Sequence, residues 1–289
     1  MLLNRMKAHI HKTINVNGRL LELSTPVVMG ILNVTPDSFY AGSRVQTEAG
    51  IARRADVITE EGGTIIDVGA CSTRPGAVMA DEKEEAERVR MALKAVRKVQ
   101  PDAIISLDTF RPNVAQMAVE EYGVAIINDI SGGNDRYGTD EKQDGVPGMF
   151  ELVARLGVAY VLTSLRSTLQ EVLLDFSHNM QMLHDIGAKD IILDPGFGFG
   201  KTIIQNYDIL NGMDILSETE MPVLVGVSRK SMIYKQLGIT PEESQNGTTV
   251  LNTVALMKGA DILRVHDVRE AMQAVKLCTH LLMYRDIMR

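Results

Sequence analysis

Val27–Asn33 reads VVMGILN, an apolar run that closes on a polar residue. The pattern repeats along the chain. Residues 64–67 (TIID) close on Asp67, 103–108 (AIISLD) on Asp108, and 125–129 (AIIND) on Asn128 and Asp129. Ile191–Asp194 (IILD) closes on Asp194, 223–230 (VLVGVSRK) on Arg229 and Lys230, and 262–267 (ILRVHD) on Arg264, His266 and Asp267. Short β-branched runs separated by helix-length segments predict parallel strands buried on both faces. Polar groups at the C-terminal ends of such strands are what a (β/α)8 TIM barrel uses to build an active site. The pattern thus predicts an α/β fold and a place for its chemistry.

Residues 14–23 (INVNGRLLEL) are two short runs around Asn17-Gly18, the signature of a hairpin with a type I′ turn. A hairpin ahead of the first barrel strand would plug the bottom of the barrel. Residues 1–289 are accordingly read as a single domain, with 1–25 as its hairpin extension. Helices are predicted over 47–61, 81–99, 111–121, 150–156, 170–186, 205–216, 247–258 and 268–284, with a strand at 159–163. The charge run DEKEEAER at 81–88 reads as a solvated helix face. Residues 131–148, polar and rich in Gly and Asp, read as an exposed loop.

A net charge of −7 argues against a nucleic-acid backbone as partner. An anionic substrate would need a local basic cluster. Two cysteines, Cys71 and Cys278, make no disulfide scaffold and point to a reducing cytoplasm. No stretch is apolar for long enough to span a bilayer. The methionines read mostly as core fillers.

Five segments carry the chemistry. Residues 30–42 place Asn33 at a strand end, followed by Phe39 and Tyr40 in a loop that reads as a mobile lid or as a packed loop. Residues 67–76 (DVGACSTRPG) put Ser72, Thr73 and Arg74 beside Asp67; the planar fork of an Arg suits an anion, and Cys71 reads as inert. Residues 194–201 (DPGFGFGK) lack the Walker phosphate-loop pattern, and Phe197 and Phe199 suggest a flat apolar partner for which Asp194 accepts hydrogen bonds. In 226–231 (GVSRKS), Arg229 and Lys230 either form ion pairs with the barrel's acids or recognise a carbonyl or an anion; Ser231 starts a helix. In 264–267 (RVHD), Arg264 and His266 face one side of a strand as a diphosphate clamp. Asn33 with substrate phosphates and water suits a hard metal such as Mg2+. Together these predict a pocket for a flat polar heterocycle carrying an anionic leaving group.

The strings MGILNVTPDSF, DVGACSTRPGA, SLDTFRP, NDISGG, DPGFGFGK, GVSRKSMI, NGTTVLN and LRVHDV occur in that order over roughly residues 27–268. The ordered set resembles the dihydropteroate synthase family of folate biosynthesis, a pterin-binding barrel. The resemblance implies condensation of (7,8-dihydropterin-6-yl)methyl diphosphate with 4-aminobenzoate to give 7,8-dihydropteroate and diphosphate through a pterin cation. It implies that Asp108, Asn128, Asp194 and Lys230 hold the pterin. Asn33, Arg74, Arg264 and His266 would bind the diphosphate, with Asn33 as an Mg2+ ligand. Phe39, Thr73, Pro75, Phe199, Lys230 and Ser231 would line the aminobenzoate site. Asp67, Asp108, Lys230 and Arg264 form the catalytic set. Sulfonamide inhibition and a homodimer through late helices are expected on the same ground, with no membrane or nucleic-acid partner. The chain departs from the family after residues 159–163, where VLTSLRSTLQ stands in place of a Met-His-Met-like stretch on a longer loop. Two other readings remain: a pterin-binding paralogue without turnover, suggested by that departure, and a folate-dependent methyltransferase, which would not need the STRPG loop with Arg264 and His266.

Overall fold

The computed structural model describes residues 12–34, 47–71, 79–134, 137, 145 and 147–287, with side chains through residue 283. Phe39, Thr73, Arg74 and Pro75, and with them the lid reading of 35–42, lie outside the described residues.

The predicted hairpin is present: β1 (Thr13–Val16) pairs antiparallel with β2 (Arg19–Glu22). Asn17 and Gly18 between them have φ of 55° and 79°, the left-handed pair that a type I′ turn requires. Ile14 and Val16 point inward and are buried. They join Leu23, Met29, Ile65, Ile126, Val161 and Ile192 in an apolar cluster at the N-terminal ends of the barrel strands. Two polar contacts fasten this plug. The Asn15 amide donates to Asp190 Oδ1 at 2.8 Å, and Lys12 Nζ to Asp261 Oδ2 at 2.8 Å.

Eight parallel strands follow: β3 (Val27–Asn33), β4 (Ile65–Gly69), β5 (Ile104–Asp108), β6 (Ile126–Asp129), β7 (Ala159–Thr163), β8 (Ile191–Asp194), β9 (Leu224–Val225) and β10 (Ile262–Val265). They run in chain order from β3 to β8, and β10 lies between β3 and β9. A parallel bridge from Leu193 to Val223, with Leu193 N donating to Pro222 O at 2.8 Å, brings β8 against β9 and closes the TIM barrel. Around it lie α1 (Glu48–Glu60), α2 (Glu82–Val99), α3 (Pro112–Tyr122), α4 (Gly148–Leu156), α5 (Leu169–Asp185), α6 (Ile203–Gly212), α7 (Ser231–Leu237), α8 (Gln245–Met257) and α9 (Val268–Ile287). Their apolar stripes cover the outer face of the sheet in one large cluster.

Four sequence expectations change. β4 runs on to Gly69, so Asp67 sits inside its strand rather than at the end. The run 223–230 is a strand only over Leu224–Val225. A turn follows, in which Arg229 has φ 55° and Lys230 N donates to Val227 O at 3.1 Å, so Arg229 and Lys230 stand on a turn above the strand. The helix expected over 205–216 ends at Gly212 and continues as a 3-10 turn, Met213–Thr219. The charge run is not wholly solvated: Glu85 is fully buried in line with Val89, Ala92, Leu93 and Val96 on the inner face of α2.

Register places the chemistry. Asp67 pairs with Ser106, and Asn33, Gly69, Asp108 and Asn128 form one row across β3 to β6. The apolar floor below this row depends on the hairpin. Ile14→Ala is therefore expected to destabilise the fold by about 2–4 kcal/mol, measured by urea unfolding, while kcat of the folded fraction stays unchanged; unaltered stability would mean that the hairpin is no part of the core.

Candidate functional site

The upper barrel is organised around Arg264 on β10. Its Nε donates to Asp67 Oδ2 at 2.7 Å and its Nη2 to Asp108 Oδ2 at 2.6 Å. Asp67 is fully buried and receives Asn128 Nδ2 at 3.3 and 3.4 Å from its two oxygens. Burial pushes the Asp108 carboxyl up to about 7; Arg264 pulls it down and Asp67 adds to the rise. Burial works against the Arg264 cation, but Asp67 and Asp108 outweigh it and hold its pKa above the ordinary value. No bond of Nη1 to another described residue is present, which leaves part of the guanidinium's fork for an anion.

Asp194 and Lys230 form a second group. Asp194 ends β8, is buried, and accepts from Gly196 N at 2.8 Å. Its carboxyl is pushed up by burial and held down in part by Lys230. Lys230 precedes α7; its ammonium contacts Phe197 O and lies 4.3 Å from the centroid of the Phe199 ring. Burial brings its pKa down to about 8 against the pull of Asp194. Ser231 begins α7, as expected. Phe197, in contrast, is fully buried in the core, so of the two phenylalanines only Phe199 is placed to meet a ligand.

The two readings left open for 229 and 230 separate here. Arg229 is structural: Nε and Nη2 make a forked pair with Asp267 at 2.9 and 2.8 Å, and Nη1 donates to the carbonyls of Pro241 and Glu242. That fork holds a non-glycine residue at positive φ and fixes the turn that presents Lys230. His266 stands two residues after Arg264, with Nδ1 2.9 Å from Ser228 Oγ. Asp129, which closes its strand beside Asn128, is also structural. It accepts from Ser131 N, Gly133 N and Tyr160 OH. Those contacts bury the start of the 131–148 segment, which was expected to be exposed. Farther along, Tyr137 packs on Phe110 with ring centroids 5.0 Å apart. Burial pushes the Cys71 thiol up, in keeping with an inert cysteine.

Asn33 ends β3 with its Oδ1 2.8 Å from where a Cβ on Gly69 would stand, on the side where Asp108 also approaches. A neutral amide oxygen beside a carboxylate is a hard donor set, which suits a divalent cation shared with substrate phosphates. No group of three or more His, Cys, Asp or Glu is gathered as a metal site among the described residues.

Sequence reasoning passed over four residues. Glu85 accepts from Thr109 Oγ1 at 2.6 Å and is ion-paired to Arg111, which also donates to Ala80 O at 2.6 Å. This cluster ties α2 and the segment before it to the loop following Asp108. The signal was available: Glu85 falls on the apolar stripe of α2. Arg54 donates to Ile31 O at 3.1 Å and His266 O at 2.7 Å, joining the tops of β3 and β10. Lys201 was quoted within its motif without a role. The described site thus offers paired acids, a lysine beside an aromatic face, and an Arg with a His at the mouth. That set can hold a flat heterocycle through both donors and acceptors and receive an anion next to it.

Comparison with known proteins gives the same picture. The family model described as pterin binding enzyme matches residues 29–266. Dihydropteroate synthase of Clostridium beijerinckii is 37% identical over 259 residues, covering 86% of this chain and 92% of its own. That of Escherichia coli K12 is 37% identical over 275 residues, covering 90% and 93%. The Yersinia pestis dihydropteroate synthase, solved with a sulfonamide drug, superposes with a TM-score of 0.85 at 33% identity, covering 94% of this chain and 100% of its own. The Xanthomonas albilineans synthase, solved with 4-aminobenzoic acid, gives a TM-score of 0.83 at 32% identity, covering 94% and 98%.

Proposed function

The chain belongs to the dihydropteroate synthase family of pterin-binding enzymes, transferases that condense (7,8-dihydropterin-6-yl)methyl diphosphate with 4-aminobenzoate, and we propose how this barrel's own residues divide that work. Residues 1–289 act as one domain, with 1–25 its hairpin extension.

The observation that carries the assignment is a buried acid, Asp194, and a buried ammonium, Lys230, that feel each other's charge beside the Phe199 ring, with Arg264 next to Lys230. Asp194 accepts from the amino edge of the pterin and Lys230 donates to its carbonyl; Asp108 and Asn128 hold the remaining polar edge. The free part of the Arg264 fork, His266, Asn33 and Arg74 receive the diphosphate. Phe199, Ser231 and the stem of Lys230 face the aminobenzoate, together with Phe39, Thr73 and Pro75. The bond from the exocyclic carbon to the diphosphate oxygen breaks first, and the electron pair leaves with the diphosphate. Ionised Asp108, with Asp67 behind it, stabilises the resulting pterin cation. The neutral aniline nitrogen attacks that carbon and loses a proton afterwards, so no strong base is needed. Mg2+ held by Asn33 and the phosphates would neutralise charge on the leaving group. Low cysteine usage supports a cytoplasmic location; among the described residues no helix is long and apolar enough to cross a membrane.

Purified protein given the pterin diphosphate and Mg2+ should release diphosphate in step with dihydropteroate when 4-aminobenzoate is added. Asp194→Ala and Lys230→Ala should each lower kcat/KM at least about a hundredfold. Wild-type turnover in both variants would overturn the assignment, and tight pterin binding without product would make the chain a binding paralogue.

The pH profile follows from Asp108, whose pKa stands at about 7 because of burial. Its ionised form is the one that stabilises the cation, so kcat should fall as pH drops below about 7 and level off above it. Asp108→Asn should abolish that inflection; a profile flat from pH 5.5 to 8 in the wild type would refute the role.

A homodimer through the late helices is supported by Val250, Val254 and Met257 on α8 and by Leu277, Leu281 and Met283 on α9, all exposed. Light scattering should give twice the chain mass, and Val254→Glu should shift it toward the monomer. A wild-type monomer at micromolar concentration would exclude this interface.

A further inference from the structure

Lys201 closes the motif DPGFGFGK, and nothing in the reaction above uses it. Its side chain is 9% exposed. Its ammonium donates to Gly196 O at 2.8 Å and to Ser164 O at 3.0 Å. No carboxylate is in ion-pair contact with it among the described residues. A buried ammonium satisfied by two carbonyls carries a desolvation cost that an apolar side chain would not. Its retention therefore calls for a local purpose.

The two carbonyls identify that purpose. Gly196 N donates to the Asp194 carboxylate at 2.8 Å, and Ser164 N donates to the Asp194 carbonyl at 2.9 Å. Lys201 thus bridges the two backbone segments that hold Asp194, one through its side chain and the other through its main chain. The segments are already in van der Waals contact. Gly196 has φ 69°, and a Cβ there would lie 2.1 Å from Ser164 O and 3.1 Å from Lys201 Nζ. Ser164 is anchored from outside by its hydroxyl, which donates to Asp175 on α5 at 2.7 Å. The link from β7 to α5 spans only residues 164–168.

We propose that Lys201 is a positioning residue for Asp194: its ammonium pins the loop after β8 to the short connection after β7 and so fixes the direction of the carboxylate that recognises the pterin. The proposal rests on the reading of Asp194 as the pterin acid. It predicts an effect larger on the pterin than on 4-aminobenzoate, because both carbonyls that Lys201 holds belong to residues bonded to Asp194, whereas of the aminobenzoate contacts only Phe199 lies on the same loop.

Steady-state kinetics of Lys201→Met should show the pterin diphosphate KM raised about tenfold, with kcat and the 4-aminobenzoate KM within about twofold of wild type. Lys201→Arg, which keeps a cation and more than one donor, should restore most of the pterin KM. The idea is overturned if Lys201→Met leaves the pterin KM within twofold, or if all parameters fail together and Lys201→Arg does no better. Should Lys201→Met not fold, Asp175→Ala carries the test by releasing Ser164 from α5: a selective rise in pterin KM supports the tether, and none refutes it. Asp194→Ala separates this idea from the one beneath it. Loss of pterin binding there, with no effect at Lys201, sinks only the tether; wild-type pterin binding in Asp194→Ala sinks both.

Discussion

One guanidinium, that of Arg264, holds the upper barrel together. It bridges Asp67, fully buried, and Asp108, half-buried, two carboxylates on neighbouring strands that would otherwise repel each other in a partly desolvated space. Such buried ionic groups add little net stability compared with apolar packing of the same volume. Removing the cation alone would leave two uncompensated charges. The arrangement is better understood as a stored field: negative charge is set in place before the substrate arrives, so little reorganisation is needed when positive charge develops on the ligand.

The rest of the site divides around this centre. Asp194 ends β8 and Lys230 stands on the turn after β9, beside Arg264, and Arg229, though next to Lys230, is wholly occupied with Asp267 and two carbonyls. Adjacent basic residues thus have opposite fates, one fixing the turn and the other facing the mouth. His266 is placed by Ser228 and by Arg54, neither of which reaches the centre itself. A layer of charge over a dry apolar floor lets polar groups be rigid without solvent competing for their hydrogen bonds.

Local pattern made the barrel legible: each apolar run closing on polar residues contained a strand, because strands buried on both faces are mostly apolar and gather their polar groups toward one end, even where, as with Asp67, the polar residue lies within the strand. The hairpin was equally plain, since Asn-Gly at that turn leaves little choice of geometry. What stayed hidden was pairing at long range. That Arg264 binds Asp67 and Asp108, or that Arg229 binds Asp267, depends on barrel closure, which brings together residues far apart in the chain. Glu85 went unread because a run of charges masked its place on the apolar stripe of α2. Phe197 misled because spacing alone does not distinguish a core aromatic from a ligand platform. The resemblance to a family named the reaction and the residues, and the geometry added how they are held.

The hairpin under the barrel also governs traffic. With Ile14 and Val16 filling the lower opening, the cylinder is blind at one end. Everything that enters must leave by the same mouth. With the site residues assigned as proposed, the heterocycle, whose partners lie at the strand ends, would occupy the deeper berth, and the ring against Phe199 would sit above it. Two reactants and two products sharing one doorway would then form a queue, in which depth in the cylinder sets the order of arrival and departure.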